Sequence, residues 1–248
     1  MIKRMLQALV ATLALVLLFA PAGQARSLDD IIESGVVRIG VNPNFPPMSA
    51  YGETNEFEGF DIEVGNIIAE RLGVEAHFTR DARRIEAAER VLLPGVGAAG
   101  AGMERLADAD LLELIPRLTQ PVLGICLGMQ LLYEVSSEDD TPCLGVIPGQ
   151  IDLLESSPEH TIPHMGWNQV ERRAESRLFD EIPDRSWFYF VHSYAAPPGE
   201  HCLGDTEHGR RFASVVNKDN FFGVQFHPER SGRHGQRLLK NFLELPWN

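Results

Sequence analysis

The sequence predicts an α/β fold built on a doubly wound, mostly parallel sheet with a β-rich C-terminal part. Three observations carry that reading. Between Val36 and Tyr133, short apolar runs alternate with stretches of helical periodicity, the layout of parallel strands joined by helices that cover both sheet faces. Val122-Leu-Gly-Ile125 passes directly into Cys126-Leu-Gly-Met-Gln130, a buried strand turning into a helix. Beyond Gln169 the chain changes to short aromatic and β-branched runs separated by turns.

Residues 1–25 stand apart from this fold. Lys3 and Arg4 precede an almost unbroken apolar run from Met5 to Ala20, and Pro21-Ala-Gly-Gln-Ala25 supplies small residues at a cleavage point. That is the layout of a secretory signal peptide, and the apolar run is short for a spanning helix; an uncleaved anchor is the alternative.

The elements then follow in order. Leu28 to Glu33 reads as a short amphipathic helix ending at Gly35, and Val36 to Val41 as a strand broken by Asn42-Pro-Asn-Phe-Pro-Pro47. Ile62, Val64, Ile67, Ile68 and Leu72 recur at helical spacing, with Gly73 as the stop. Val74 to Phe78 is a second strand, Ile85 to Ala88 a short helix and Arg90 to Leu93 a third strand, closed by the turn Pro94-Gly-Val-Gly97. Leu111 to Leu118 reads as a helix, Val122 to Ile125 as a buried strand, and the helix after Cys126 runs through Tyr133. Gln169-Val170, Trp187 to His192, Phe212 to Val216 and Phe222 to Phe226 are strands, and Gln236 to Leu243 is the closing helix. No internal repeat or low-complexity segment interrupts this order.

Composition bounds the function. The 248 residues allow one large or two small domains, and 44% hydrophobic with 23% charged residues suits a globular chain that buries a core. A formal net charge of -13 speaks against a nucleic-acid partner. Cys126, Cys143 and Cys202 cannot all pair and fit no zinc spacing, a usage that suits a reducing compartment and conflicts with an export signal. His160, His164, His192, His201 and His208 are scattered rather than set at ligand spacings, so neither a metal nor a cofactor is expected.

The chemistry concentrates on Cys126, His227 and Glu229. Acyl transfer to a thiol needs a thiolate, a base beside it and an acid to orient the base. Gly124 and Gly128 flank Cys126 two residues away on each side, a spacing expected to let the chain bend sharply and expose the sulfur with no β-carbons in the way. A helix starting at Leu127 puts the cysteine at its N-terminus, which favours the thiolate, and aims the Leu127 N–H at a developing oxyanion. The turn at Pro94-Gly-Val-Gly97 is either the source of a second oxyanion donor or a plain loop. His227 and Glu229, two apart in extended chain and stiffened by Pro228, project to one side. Gln130, one helical turn after Cys126, either meets a substrate over the thiol or faces solvent. His192-Ser-Tyr194 either lines the same pocket or sits at the core edge.

Five segments go further: Leu93-Pro-Gly-Val-Gly97, Leu123-Gly-Ile-Cys-Leu-Gly-Met-Gln130, Ile162-Pro-His-Met-Gly-Trp-Asn168, Phe188-Tyr-Phe-Val-His-Ser-Tyr194 and Gly223-Val-Gln-Phe-His-Pro-Glu229. From about Asp81 to Phe242 they resemble the class I (triad) glutamine amidotransferases, and Pro-His-Met-Gly-Trp-Asn resembles the glutaminase subunits of imidazole glycerol phosphate synthase in histidine biosynthesis. The resemblance implies a flavodoxin-like strand order and glutamine hydrolysis to glutamate and ammonia through a thioester on Cys126. It implies His227 as base, Glu229 as its orienter, Gly97 and Leu127 as oxyanion donors, and Gln130 and Ser193 as glutamine-holding residues. It also implies a (β/α)8-barrel synthase subunit as heterodimer partner, with Met165 and Trp167 near the interface, and a cytoplasmic location. Arg230 stands where that family usually carries lysine.

The front of the chain departs from this pattern. Gly35-Val-Val-Arg-Ile-Gly-Val41, Asn44-Phe-Pro-Pro47 and Glu58-Gly-Phe-Asp-Ile-Glu63 resemble the opening of amino-acid-binding proteins of ABC importers, which implies a periplasmic or secreted alternative. The chain thus divides into a signal-like segment 1–25, a binding-protein-like strand–helix–strand unit 26–79 and an amidotransferase domain 80–248, joined near Thr79 to Arg83. Both parents open a sheet with the same right-handed unit, so the borrowed piece is expected to complete the sheet.

Overall fold

The computed structural model describes residues 75–246 continuously, and before them the strands Val36–Gly40, Ala50–Tyr51 and Phe57–Glu58 and the single residues Ile62 and Asn66. The signal-like segment and the helix expected from Leu28 to Glu33 lie outside the described residues. Of the helix expected from Asp61 to Leu72, only Ile62 and Asn66 are described, both helical.

The chain opens with β1 (Val36–Gly40), β2 (Ala50–Tyr51), β3 (Phe57–Glu58) and β4 (Glu75–Thr79), with β1 parallel to β4 and β2 antiparallel to β3. Next come α1 (Ala82–Glu86), β5 (Val91–Gly95), α2 (Ala99–Asp108), β6 (Val122–Cys126) and α3 (Leu127–Gln130). Then follow β7 (Tyr133–Ser136), β8 (Thr141–Pro142), β9 (Ile147–Leu153), β10 (His164–Arg172) and β11 (Ser186–His192). The chain closes with β12 (Tyr194–Ala195), β13 (Cys202–His208), β14 (Arg210–Lys218), β15 (Phe221–Val224) and α4 (Gly232–Glu244).

Among the described residues the main sheet has seven strands in the order β11-β10-β13-β14-β15-β6-β5, and a second sheet runs β12-β9-β7-β8. Parallel pairing joins β5, β6 and β15, the strands that deliver the cysteine and histidine, and the β-rich C-terminal part extends the same sheet with antiparallel strands. β6 is buried along its whole length. Its Leu123 and Ile125 face one core with Phe188, Phe226 and the α4 residues Leu238 and Phe242, while Val122 faces a second core with Leu106, Leu131 and Leu132. A strand covered on both faces reads as the continuous apolar run seen in the sequence.

The N-terminal unit reaches this core. Ile62 is buried and Phe78 half-buried in the cluster that holds Leu92, Leu123 and Phe222. β1 lies beside β5, yet no ladder joins them among the described residues, so β1 and β4 form a sheet of their own where completion of the main sheet was expected. α1 starts at Asp81, whose carboxylate accepts from the backbone N–H of Arg83 at 2.9 Å.

Several expected elements differ. The segment Leu111 to Leu118 holds only a 3-10 turn at Ile115–Arg117, and its leucines are buried by tertiary packing. The helix lies earlier, at α2, where Ala99 and Gly102 give a weak periodic signal because the helix packs through small residues. A Cβ on Gly102 would lie 3.0 Å from a Leu131 methyl. The helix after Cys126 ends at Gln130, and Tyr133 begins a strand. β9 and β13 were not read from the sequence because exposed positions interrupt the alternation of β9 and the buried polar pair Asp205 and Thr206 interrupts that of β13.

The glycines beside the cysteine leave room for close contact, as expected, while the sharp bend falls on the cysteine. Cys126 itself takes the strained conformation, with φ 52° and ψ -111°. A Cβ on Gly128 would stand 1.7 Å from the Leu93 carbonyl oxygen, and one on Gly124 would stand 2.6 Å from the Gly128 carbonyl. Replacing Gly128 by alanine is therefore expected to cost ~3 kcal/mol or more and to lower Tm by ten degrees or more, roughly. A Gly128→Ala protein melting within about two degrees of wild type in calorimetry would contradict this packing.

Candidate active site

Cys126 ends β6 and caps α3, so its sulfur leaves the sheet at the carboxyl ends of the parallel strands. A cavity of about 410 Å³ opens there, lined among others by Gly97, Cys126, Leu127, Gln130, Glu138 and Ser193. His192, Tyr194, Tyr189 and Arg230 also line it. The fold thus brings together four of the residues expected to bind substrate, Gly97, Leu127, Gln130 and Ser193, around the cysteine.

His227 and Glu229 arrive from the end of β15. They were expected in extended chain, but Pro228–Arg230 form a 3-10 turn capped by His227. The turn still joins them: His227 Nδ1 lies 2.7 Å from Glu229 Oε1, and both side chains are buried. The turn is pinned to β11, because the His227 N–H donates to the Tyr189 carbonyl at 2.8 Å. Ser231 Oγ accepts from the Tyr189 N–H at 2.9 Å and donates to the His227 carbonyl at 2.6 Å. With Nδ1 taken by Glu229, the other ring nitrogen of His227 is the one left to face Cys126. Burial alone would lower the imidazolium pKa of His227; the thiolate charge of Cys126 and the Glu229 carboxylate outweigh it and raise the pKa to about 10.

Two further contacts hold the sulfur. Cys126 Sγ lies 3.8 Å from the Val191 carbonyl on β11, and Gln225 Nε2 approaches the sulfur at 3.8 Å. Gln130 Nε2 donates to the Tyr194 carbonyl at 2.9 Å and to Gln225 Oε1 at 3.1 Å. Both amide hydrogens of Gln130 are thereby engaged, so only its carbonyl oxygen can meet a substrate, and it meets it as an acceptor.

Sequence reasoning passed over Glu138, Gln225 and Ser231. Glu138 Oε2 accepts from the Ala99 N–H at 2.7 Å, capping α2 from 39 residues away while lining the cavity. Nothing local signals that. Gln225 and Ser231 flank the histidine segment and were within reach as neighbours in sequence. Four of the five histidines read as scattered meet in space. His164 and His208 stack with centroids 4.1 Å apart, and His160 and His192 meet the same pair edge-on.

The comparisons with known proteins agree with this geometry. Residues 67–245 match the family Glutamine amidotransferase class-I. The chain belongs to the class I glutamine amidotransferases. An imidazole glycerol phosphate synthase subunit HisH of Mannheimia succiniciproducens is 49% identical over 71% of this chain and 90% of its own. The HisH subunit of Idiomarina loihiensis is 48% identical over 75% of this chain and 95% of its own. A glutamine amidotransferase of Thermotoga maritima shares the fold, with a TM-score of 0.51 at 20% identity over 81% of this chain and 80% of its own. The glutaminase domain of Trypanosoma brucei CTPS gives 0.55 at 13% identity over 86% and 96%. Residues 37–90 match Bacterial extracellular solute-binding proteins, family 3, so the two family matches overlap at 67–90, a span that includes the expected join.

The histidines of this amidotransferase set a pH dependence. Burial first, then His208, lowers the His164 pKa to about 4. Burial outweighs the hydrogen bond to Tyr194 and lowers that of His192 to about 3. The unfolded chain protonates both near the ordinary 6.5 and the folded chain does not, so stability falls as pH drops from 6.5 towards 4. His227 runs the other way: its contribution is complete below 6.5 and is lost as pH rises through about 10. Urea midpoints measured from pH 4.5 to 9.5 should fall on both sides of neutrality, and His192→Asn should flatten the acid limb, where each histidine contributes up to ~1.4 kcal/mol per pH unit. An acid limb as steep in His192→Asn as in wild type would contradict this assignment.

Proposed function

We propose that the chain is the glutaminase subunit of an imidazole glycerol phosphate synthase, releasing ammonia from glutamine for histidine biosynthesis. The observation that carries it is a cavity lined by Cys126, Gln130 and Glu138, with the buried His227–Glu229 pair close enough to the cysteine to feel its charge; that arrangement supports a Cys126–His227–Glu229 triad. Identity of about half to HisH subunits over most of their length supports the particular pathway.

The chemistry follows from the groups present. The Cys126 thiolate attacks the side-chain amide carbon of glutamine, and the backbone N–H groups of Leu127 and Gly97 receive the oxyanion. His227, protonated and held by Glu229, gives its proton to the leaving nitrogen; ammonia departs and a glutamyl thioester remains. Water, losing a proton to the now neutral His227, then attacks the thioester; the carbon–sulfur bond breaks, glutamate is released with its acid proton passing to the ammonia, and the Cys126 thiolate stands again beside protonated His227. Gln130, Glu138 and the Ser193 hydroxyl suit the amino-acid end of glutamine, the first two as acceptors for its ammonium group. Ammonia then passes to a (β/α)8-barrel synthase subunit.

An outer face suits that partner. Met165 is 64% exposed and Trp167 51% exposed on β10, and Trp187 is 51% exposed on the adjacent β11. Exposed large apolar side chains gathered on one sheet face mark a docking surface. Arg230 stands over the Tyr189 ring, 5.6 Å from its centroid, where this face meets the cavity.

The chain divides into a signal-like segment 1–25, a binding-protein-like unit 26–79 and the amidotransferase domain 80–248, and the enzyme reading requires the cytoplasm. Among the described residues no helix is long and apolar enough to cross a membrane. Glutamate release by the full chain plus the synthase subunit should vanish in Cys126→Ala and fall by ~100-fold or more in Glu229→Gln, which cannot balance the imidazolium charge. Undiminished release from Cys126→Ala would sink the thioester route. Recovery of a mature chain beginning after Ala25 outside the cytoplasm would overturn the location.

A further inference from the structure

The segment Pro163-His-Met-Gly-Trp-Asn168 does more than present a docking face. Along β10, Met165 and Trp167 point outward, whereas His164 is buried and Asn168 half-buried. Those two inward residues begin a hydrogen-bonded chain. Asn168 Nδ2 lies 3.2 Å from His164 Nε2 and donates to the Glu207 carbonyl at 2.9 Å. His164 Nδ1 lies 3.1 Å from His192 Nε2, and His192 Nδ1 lies 2.9 Å from the Tyr194 carbonyl.

The acceptor at the far end sets every proton in this chain. A carbonyl oxygen only accepts, so His192 carries its hydrogen on Nδ1. In the neutral ring its Nε2 is then an acceptor, and His164 must donate from Nδ1. His164 Nε2 is left to accept, and Asn168 supplies that hydrogen. The polarity runs one way from β10 to Tyr194, and it holds only while both rings are neutral. Their lowered pKa values fit that requirement. The Tyr194 carbonyl is also the acceptor for Gln130 Nε2 at 2.9 Å, and Gln130 continues through Gln225 to the Cys126 sulfur.

We infer that His164 and His192 are positioning residues: they hold the Tyr194 carbonyl that orients Gln130, and so tie strand β10 to the substrate pocket. The inference rests on the glutaminase reading, since it concerns how Gln130 meets glutamine. A misplaced Gln130 weakens substrate binding more than it slows attack by a thiolate that His227 and Glu229 still support. The value of one such hydrogen bond corresponds to about tenfold in KM.

The test is glutamate release against glutamine concentration, with the full chain and the barrel synthase subunit. His164→Gln, which cannot donate from the Nδ1 position, should raise KM about tenfold with kcat within about threefold of wild type. His164→Asn places an amide nitrogen near the Nδ1 position and should bring KM back to within about threefold. Asn168→Ala, at a half-buried site, should move KM in the same direction and decides the matter if His164→Gln does not fold. Unchanged KM in a folded His164→Gln or in Asn168→Ala, or equal damage in His164→Asn and His164→Gln, overturns the inference. A wild-type chain that iodoacetamide alkylates at Cys126 but that releases no glutamate overturns the glutaminase reading and this inference with it. An active wild type with unmoved variants sinks the inference alone.

Discussion

Everything at the site depends on how closely α3 lies on β5 and β6. Gly128 packs its backbone against the Leu93 carbonyl, and Gly124 against Gly128 itself, with no room for a side chain at either position. That contact drives the turn between β6 and α3 into one residue, and the strain falls on Cys126 at φ 52°. A non-glycine residue at positive φ costs free energy, and the buried strand on one side and the packed helix on the other hold it there. The sulfur then stands over the sheet edge, between Val191 on β11 and Gln225 after β15. α3 is only four residues long, so close packing and neighbouring side chains, rather than a long helix dipole, shape the environment of the thiol.

The electrostatics of the site work by contrast between histidines in similar surroundings. His227, His164 and His192 are all nearly sealed from water, and burial penalises the charged form of each. His227 has Glu229 on one nitrogen and the cysteine sulfur for company, and its proton is held well above neutrality. His164 and His192 face each other, His208 and a backbone carbonyl, and they remain neutral. One set of rings is thereby suited to give and take a proton, and the other to transmit a fixed hydrogen-bond direction. The difference lies in the partners, since the residue type and the degree of burial are shared.

The N-terminal unit is joined to the core by few described contacts. Ile62 and Phe78 enter the cluster around Leu92 and Phe222, while β1 stays beside β5 without a ladder. β5 therefore ends the main sheet, and its own position is secured from the other side by β6 and by the approach of Gly95 to Leu127 and Gly128. The groups proposed as catalytic sit at the end of β6 and in the turn after β15, and the cavity walls come from Val96 onward. Among the described residues, the elements that line the cavity thus lie outside the N-terminal unit.

The sequence by itself determined the α/β class, the strand into Cys126 and the closing helix α4, and it singled out the cysteine, histidine and glutamate that the proposed chemistry uses. Each of these is a local pattern: a continuous apolar run, a helical period, or residue types whose chemistry is distinctive wherever they lie. It misplaced the helix at Leu111 to Leu118, because buried leucines there serve tertiary packing while α2 packs through Ala99 and Gly102. It anticipated that no β-carbon could stand beside Cys126, but not that Leu93 on β5 is what Gly128 approaches, because that residue is distant in the chain. Only the tertiary structure decided that Glu138 caps α2 at the cavity wall, that Ser231 pins the His227 turn, and that four histidines form one cluster. These contacts span from a few to more than forty residues of chain and obey no period. Their partners are chosen by which groups remain unsatisfied once the sheet has closed, a condition that exists only in three dimensions.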